Sequence, residues 1–331
     1  MLFPVGLTAQ PSMDPILIGG TVSMEGKYRE PSLMIQKGIR YWVDQINQKG
    51  GLLGRKVSLR LYDDKSDPEQ VKQYYQKLIT EDRVDLVLSP YSTPLTLVAS
   101  QITEKHKKLM LAIAAAADAP WERGHQYLFQ LYAPATRQFI GVLDIMTRKG
   151  YKTLSVLYDD TSAFNLDIFK GIKEWAALFK LDLVLVKGYQ NGERDLPGLL
   201  AEVKEVGSDG LILSAYPPDA YRLIDLLKQM NYRPPVLAMP IVPAHPDFDK
   251  KVGEMAERIM GPSQWEPVER IHFPGTKQFV EGFKAFAGHL PSFHAASAYS
   301  ACQLMERAMR QTGTTDNEIL RNVIAALDTV T

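Results

Sequence analysis

The sequence predicts an α/β protein built from two doubly wound parallel sheets, one in each of two lobes. Three observations carry that expectation. Short β-branched runs alternate with amphipathic segments from residue 16 to 132 and again from 153 to 239, the pattern of parallel sheets covered on both faces. The chain has 331 residues, more than a single core usually accommodates. Two irregular stretches, 132–137 and 262–268, interrupt the series. They divide the chain into one lobe of 15–133 plus 265–331 and a second of 134–264, joined as by a hinge.

Strands are expected at "ILIGGT" (16–21), "KVSLRLY" (56–62), "VDLVLS" (84–89), "LMLAI" (109–113) and "QYLFQLY" (126–132). The second series is "TLSVLYD" (153–159), "DLVLVKGY" (182–189), "DGLILSAY" (209–216) and "PPVLAM" (234–239). Between the first two runs, Ile35, Ile39, Trp42, Val43 and Ile46 recur at steps of three and four, one apolar stripe on a helix. Gly50 and Gly51 end that helix where a left-handed residue is needed. Asp67 before Pro68 is a cap with proline in the first turn. Further helices fall near 164–180, 195–206 and 219–231. After "RIMGPSQWEP" breaks the rhythm, three more follow near 274–287, 292–312 and 316–327, with no strand expected between them.

Composition narrows the function. The chain carries 38 basic and 38 acidic residues, scattered rather than grouped, which argues against nucleic acid and a polybasic membrane site. A single cysteine, Cys302, excludes an internal disulfide and any multi-cysteine zinc site; its Ala and Met neighbours point to a buried thiol. No apolar run approaches the roughly 18 residues of a membrane span. Residues 1–14 read as a signal-peptide remnant or a disordered lead. No G-x-G-x-x-G, phosphate loop, G-x-S-x-G elbow or metal spacing occurs. Neither cofactor nor enzymatic activity is expected. The pairs Asp63–Asp64 and Asp159–Asp160 read as turn residues at strand ends, and His289 and His294 as a chance pair interrupted by Pro291.

Ligands of open α/β sheets sit beyond the carboxyl ends of the strands. Those ends are the loops 22–32, 89–95, 113–121, 159–166, 214–219 and 239–247. In "SPYSTPLTLVAS", Thr93 reads as an N-cap with Pro94 in the first turn and Ser92 beside it. A hydroxyl and free amides at such a start can hold a carboxylate without a cationic side chain. An ordinary self-satisfied cap is the other reading of the same residues.

The stretch "EGKYREPSLMIQKGIRYWVDQINQKGGLLGRKVSLRLYDDKSDPEQ", followed by "SPYSTPLTLVAS", "AAAADAPWERGHQYLF", "VLYDDTSAFNLDIFKGIKEWA", "LSAYPPDAYRLIDLLKQMNY", "GPSQWEP" and "FHAASAYSACQLMERAM", resembles the type I periplasmic solute-binding proteins of ABC importers, the leucine/isoleucine/valine-binding family. The likeness covers nearly all of residues 15–328. It implies a monomer that closes on a small carboxylate-bearing solute, an amino acid of branched-chain type or an aromatic acid or amide. It further implies delivery to a permease in the inner membrane, and an exported, periplasmic location.

Carried over residue by residue, the resemblance places Ser92 and Thr93 on the ligand carboxylate and backbone groups of Ala114 and Ala116 nearby. Phe164 and Tyr216 would close from the second lobe, and Tyr28 would line the side-chain pocket. Relatives that bind amino acids carry an acid after the strand equivalent to "VLAM"; this chain has Pro240 and Ile241 there. Either Asp118 or Asp160 replaces that acid, or the ligand has no amino group. The resemblance also implies terminal strands and a third crossover beyond "LDTVT". A sensor domain of a membrane receptor kinase or cyclase is the alternative use of this fold.

Overall fold

The structure is a computed structural model and describes residues 14–328 except 191, 194 and 268–272. The expected leading segment therefore lies, up to residue 13, outside the described residues. The first sheet runs β2-β1-β3-β4-β5, all parallel. Its strands are β1 (Ile16–Val22), β2 (Val57–Asp63), β3 (Leu86–Leu88), β4 (Met110–Ala112) and β5 (Leu128–Gln130), connected through α1 (Arg29–Gln48), α2 (Pro68–Thr80), α3 (Thr93–Lys105) and α4 (Ala119–Glu122). The helix α5 (Ile140–Arg148) leads into the second sheet, which runs β10-β9-β8-β6-β7. Here the strands are β6 (Thr153–Asp159), β7 (Asp182–Tyr189), β8 (Gly210–Ser214), β9 (Val236–Ala238) and β10 (Ile259–Met260), with α6 (Ala163–Phe179), α7 (Leu196–Val206), α8 (Pro217–Gln229) and α9 (Phe248–Val252) between them. The chain then forms α10 (Thr276–Ala287), α11 (Phe293–Thr312) and α12 (Asn317–Ala325).

The apolar stripe of α1 does what its spacing requires: Ile35, Ile39, Trp42 and Ile46 are all buried, and Val43 at the stripe's edge is half-buried. Asp67 caps α2 by accepting the Glu69 N–H at 2.7 Å, ahead of Pro68. Gly51 has φ +89°, and a Cβ there would lie 2.0 Å from the Arg55 carbonyl oxygen, so only glycine fits this turn. The acidic pairs are turn residues as read: Asp64 is fully buried and accepts from Thr21 Oγ1 at 2.6 Å, Ser23 Oγ at 2.5 Å and Ser66 N at 2.9 Å. Asp159 accepts from the Thr161 amide and hydroxyl. Cys302 is buried and its thiol is pushed up by desolvation, an inert core group.

Four elements escape the periodicity. Helix α5 and the short helices α4 and α9 fall where the pattern predicts none, and β10 lies inside "RIMGPSQWEP", where the rhythm breaks. β10 is only two residues long and exists because Ile259 and Met260 pair with Leu237 and Ala238 of β9; a run that short has no period to detect. The last three helices return to the first sheet: α11 packs along α1, Trp42 Nε1 donates to Glu306, and Leu109 N donates to Asn317 at the start of α12. No helix among the described residues is long and apolar enough to cross a membrane.

Candidate functional site: an uncharged cavity between the lobes

The carboxyl ends of both sheets converge on one cavity. Tyr91, Ser92 and Thr93 reach it from the turn after β3, and Ala114 and Ala116 from the turn after β4. Phe164, Tyr216 and Ile241 come from the loops after β6, β8 and β9 on the other sheet. Phe293 and His294 open α11, while Tyr132, Gln138, Pro262 and Gln264 stand where the chain passes between lobes. The cavity between these walls is narrow, about 30 Å³, room for about one or two waters, so a larger solute enters only as the walls move apart.

The corner at Ser92 and Thr93 differs from the cap that its sequence suggests. Ser92, not Thr93, holds the N-cap position, and its side chain makes no capping bond. Its backbone sits at φ +86°, ψ 153°, a region that non-glycine residues occupy only at a cost of about 1–3 kcal/mol. The Ser92 hydroxyl is buried and unpartnered; it faces the Tyr28 phenol closely enough to perturb it, but not in hydrogen-bonding geometry. Thr93 Oγ1 accepts from the amides of Ala116 and Ala117, both at 3.3 Å. Those two bonds occupy its lone pairs and leave its O–H to donate. The first helical bond of α3 is Thr96 N–H to Ser92 O, and Pro94 has no N–H, so the amides of Thr93 and Leu95 are the free donors of the helix start. A strained backbone and a buried hydroxyl outside hydrogen-bonding geometry thus stand together at one helix start.

An arc of rings forms the remaining wall. Phe164 and Tyr216 have centroids 5.9 Å apart, Tyr216 and Tyr91 6.4 Å, and Tyr91 and His294 5.2 Å. His294 stacks on Phe293 at 4.0 Å. Burial holds the phenols of Tyr91, Tyr132 and Tyr216 well above their ordinary pKa, so all three stay neutral. Among the described residues, none lining the cavity is an Asp, Glu, Lys or Arg.

Of the nine residues read from the sequence, Ser92, Thr93, Ala114, Ala116, Phe164 and Tyr216 line the cavity. Tyr28 stands one layer behind, edge-on to Tyr216 at 4.9 Å and to Tyr91 at 5.7 Å, its phenol pushed up to about 12 by burial. Neither acid enters the cavity. Asp160 is exposed beside Gly188, and Asp118 is half-buried, its N–H donating to the Asp167 carboxylate at 2.7 Å. Each follows a strand end, yet the chain turns before the side chain can reach the ligand space. Sequence reasoning missed Tyr91, Tyr132, Gln138, Pro262, Gln264, Phe293 and His294. The aromatic pair at the start of α11 could have been found, because helix starts face this cleft. Ile241, named only as the place of a missing acid, lines the cavity in a γ-turn with φ +66°, ψ −69°, closed by Val242 N–H to Pro240 O at 2.7 Å. Such a turn is rare and strained for a β-branched residue.

Residues 15–331 match the family model described as periplasmic binding protein. The chain belongs to that family. Its members are substrate-binding proteins rather than enzymes, and membership places this chain among proteins that bind solutes outside the cytoplasm. A curated relative, Leu/Ile/Val-binding protein homolog 8 of Brucella abortus, is 24% identical over 310 residues, covering 88% of this chain and 75% of that one. Among solved structures, the branched-chain amino acid binding protein LivJ of Streptococcus pneumoniae with isoleucine is 21% identical with a TM-score of 0.86, over 94% of this chain and 88% of that one. A solute-binding protein of Rhodopseudomonas palustris with benzoate is 18% identical with a TM-score of 0.81, over 95% and 86%. Another, from R. palustris BisB5 with 3,4-dihydroxybenzoic acid, is 20% identical with a TM-score of 0.79, over 93% and 84%. At these identities the solved structures speak for the shared fold: two lobes, each with a parallel sheet.

In this periplasmic binding protein His294 gives the cavity a pH signature. Desolvation, then the neighbouring His245, lowers its pKa to about 3, against about 6.5 in the unfolded chain. Because the folded value is the lower one, the neutral ring's contribution is complete above pH 6.5. It is lost as pH falls toward 3, by up to about 1.4 kcal/mol per pH unit. Urea unfolding at stepped pH should therefore fall more steeply between pH 6 and 4 for the wild type than for His294→Phe. Parallel curves would place the proton elsewhere.

Proposed function

We propose that this protein is the periplasmic solute-binding component of an ABC importer and that its ligand is a small aromatic carboxylate of the benzoate type. The observation that carries the ligand class is the pairing of a helix-start corner bearing two hydroxyls with a cavity wall that has aromatic rings and, among the described residues, no charged side chain. A carboxylate there meets the Thr93 and Ser92 hydroxyls and the start of α3, where the helix contributes about half a positive charge. An α-ammonium would meet only neutral groups, and a buried cation without a carboxylate costs several kcal/mol. Ile241 occupies the loop after β9 with an apolar side chain, and the two acids that could have compensated lie outside the cavity. The rings of Phe164, Tyr216 and Tyr91 offer faces and edges to a flat ligand. As in other two-lobed receptors, closure follows only from contacts to both lobes.

The solved relatives with benzoate and with 3,4-dihydroxybenzoic acid support this reading, whereas the one with isoleucine supports a branched-chain amino acid. A thermal-shift series with benzoate, 4-hydroxybenzoate, benzamide, isoleucine and leucine separates them. A ligand at a hundred times its Kd stabilises the native state by about 2.7 kcal/mol. Benzoate is expected to raise Tm while benzamide and both amino acids leave it unchanged. A shift with isoleucine and none with benzoate overturns the assignment.

A further inference from the structure

Outside the cavity, the two lobes meet at a second polar contact centred on Glu30, in the first turn of α1. Its carboxylate is surrounded from the opposite lobe. Tyr221 of α8 donates its hydroxyl to Glu30 Oε1 at 2.8 Å, and His245 Nε2 stands 3.4 Å from the same oxygen. Lys251 of α9 donates to Oε2. The same ammonium lies 3.3 Å from the Tyr221 hydroxyl and 4.9 Å from the centre of its ring. The Asp247 N–H donates to His245 Nδ1 at 3.2 Å, so the neutral ring carries its proton on Nε2 and presents it to Glu30. One carboxylate from the first lobe thus takes two hydrogen-bond donors from the second and faces the His245 ring, on three separate segments.

None of these four side chains lines the ligand cavity. Two donors and an adjoining imidazole on one half-buried carboxylate are worth more than an exposed pair, because part of the desolvation is shared and the geometry is fixed by packed elements. Every bond in the group spans the gap between lobes except those among the second-lobe residues themselves. Opening the lobes must therefore break both bonds to Glu30 and part it from the His245 ring at once.

We propose that Glu30, Tyr221, His245 and Lys251 form a clasp that holds the lobes shut. They act as positioning residues, controlling how long a ligand stays without touching it. Ligand enters while the clasp is open and leaves only after it parts, so the clasp governs dissociation far more than association. Without ligand it maintains a measurable fraction of closed molecules, since its bonds need no solute. The effect on ligand residence rests on the benzoate reading above; the effect on the lobes does not.

Two measurements test it on the full chain. Spin labels at Lys72→Cys in α2 and Lys228→Cys in α8, both exposed positions in opposite lobes, report the interlobe distance without ligand. Cys302 is buried and is not expected to take label. Glu30→Gln and Lys251→Met should each shift the distribution toward longer distances, and the double variant should add little to either. Stopped-flow displacement of benzoate should show dissociation accelerated by about tenfold in each single variant, with the association rate within about twofold of wild type. A purely structural role would instead lower Tm and leave both readouts in place. Distance distributions identical to wild type in both variants overturn the clasp. If benzoate fails to bind the wild type, the ligand assignment falls and the distance measurement alone judges the clasp.

Discussion

Replacing Gly38 with alanine is expected to destabilise the protein by about 3 kcal/mol, although helix propensity by itself predicts a gain of about 1 kcal/mol for the same change. Gly38 lies midway along α1 with ordinary helical backbone, and nothing in its conformation asks for glycine. Its reason is the neighbour. A Cβ built there would stand 2.3 Å from the carbonyl oxygen of Ala295 and about 3 Å from that residue's C and Cα atoms. The obstacle is backbone in α11, so no rotamer change relieves it; the two helices must separate. Since α1 carries Glu30 at its first turn and α11 carries Phe293 and His294 into the cavity, that separation would also loosen the site. Calorimetry should show Tm lower by roughly 4 °C. A Tm equal to or above wild type would mean that propensity outweighs contact here.

The second large effect is on binding. Thr93→Val keeps the shape of the side chain and removes its oxygen. Two losses follow: the O–H that would donate to a ligand carboxylate, and the acceptor of the Ala116 and Ala117 amides. A hydrogen bond to a charged group is worth about 1.5–3 kcal/mol, so benzoate affinity measured by titration calorimetry should fall by about 10- to 100-fold. Thr93→Ser retains the hydroxyl and should stay within a few-fold of wild type. Unchanged affinity in the valine variant would remove Thr93 from the site, whatever the ligand.

Much of the architecture was legible because local periodicity reports burial directly. The α1 stripe, the Asp67–Pro68 start of α2 and the alternation of strand and helix all survive into three dimensions. Where the signal is shorter than its own period, as at β10, it disappears. The site divides in a similar way. Thr93 was legible as a helix start, whereas Ala114, Phe164 and Tyr216 came from the family resemblance; all four line the cavity, each following the carboxyl end of a strand. Asp118 and Asp160 were offered in place of the acid missing at Pro240 and Ile241 and lie elsewhere, because position after a strand does not fix where a side chain points. The capping register slipped by one residue at Ser92, since hydroxyls at 92 and 93 are equally good caps on paper and only the strained backbone distinguishes them.

The sequence by itself determined two parallel-sheet lobes, the neutral and dispersed charge, the buried cysteine and the helix start with its two hydroxyls. Tertiary structure alone decided what those hydroxyls face. It brought His294 within 5.2 Å of Tyr91 across two hundred residues of chain, turned Ile241 inward through a strained loop, and set Glu30 among donors from the other lobe. The physical reason is range: backbone propensity and burial are read from neighbours a few positions away, whereas a cavity's polarity is a sum over side chains that only the completed packing brings together.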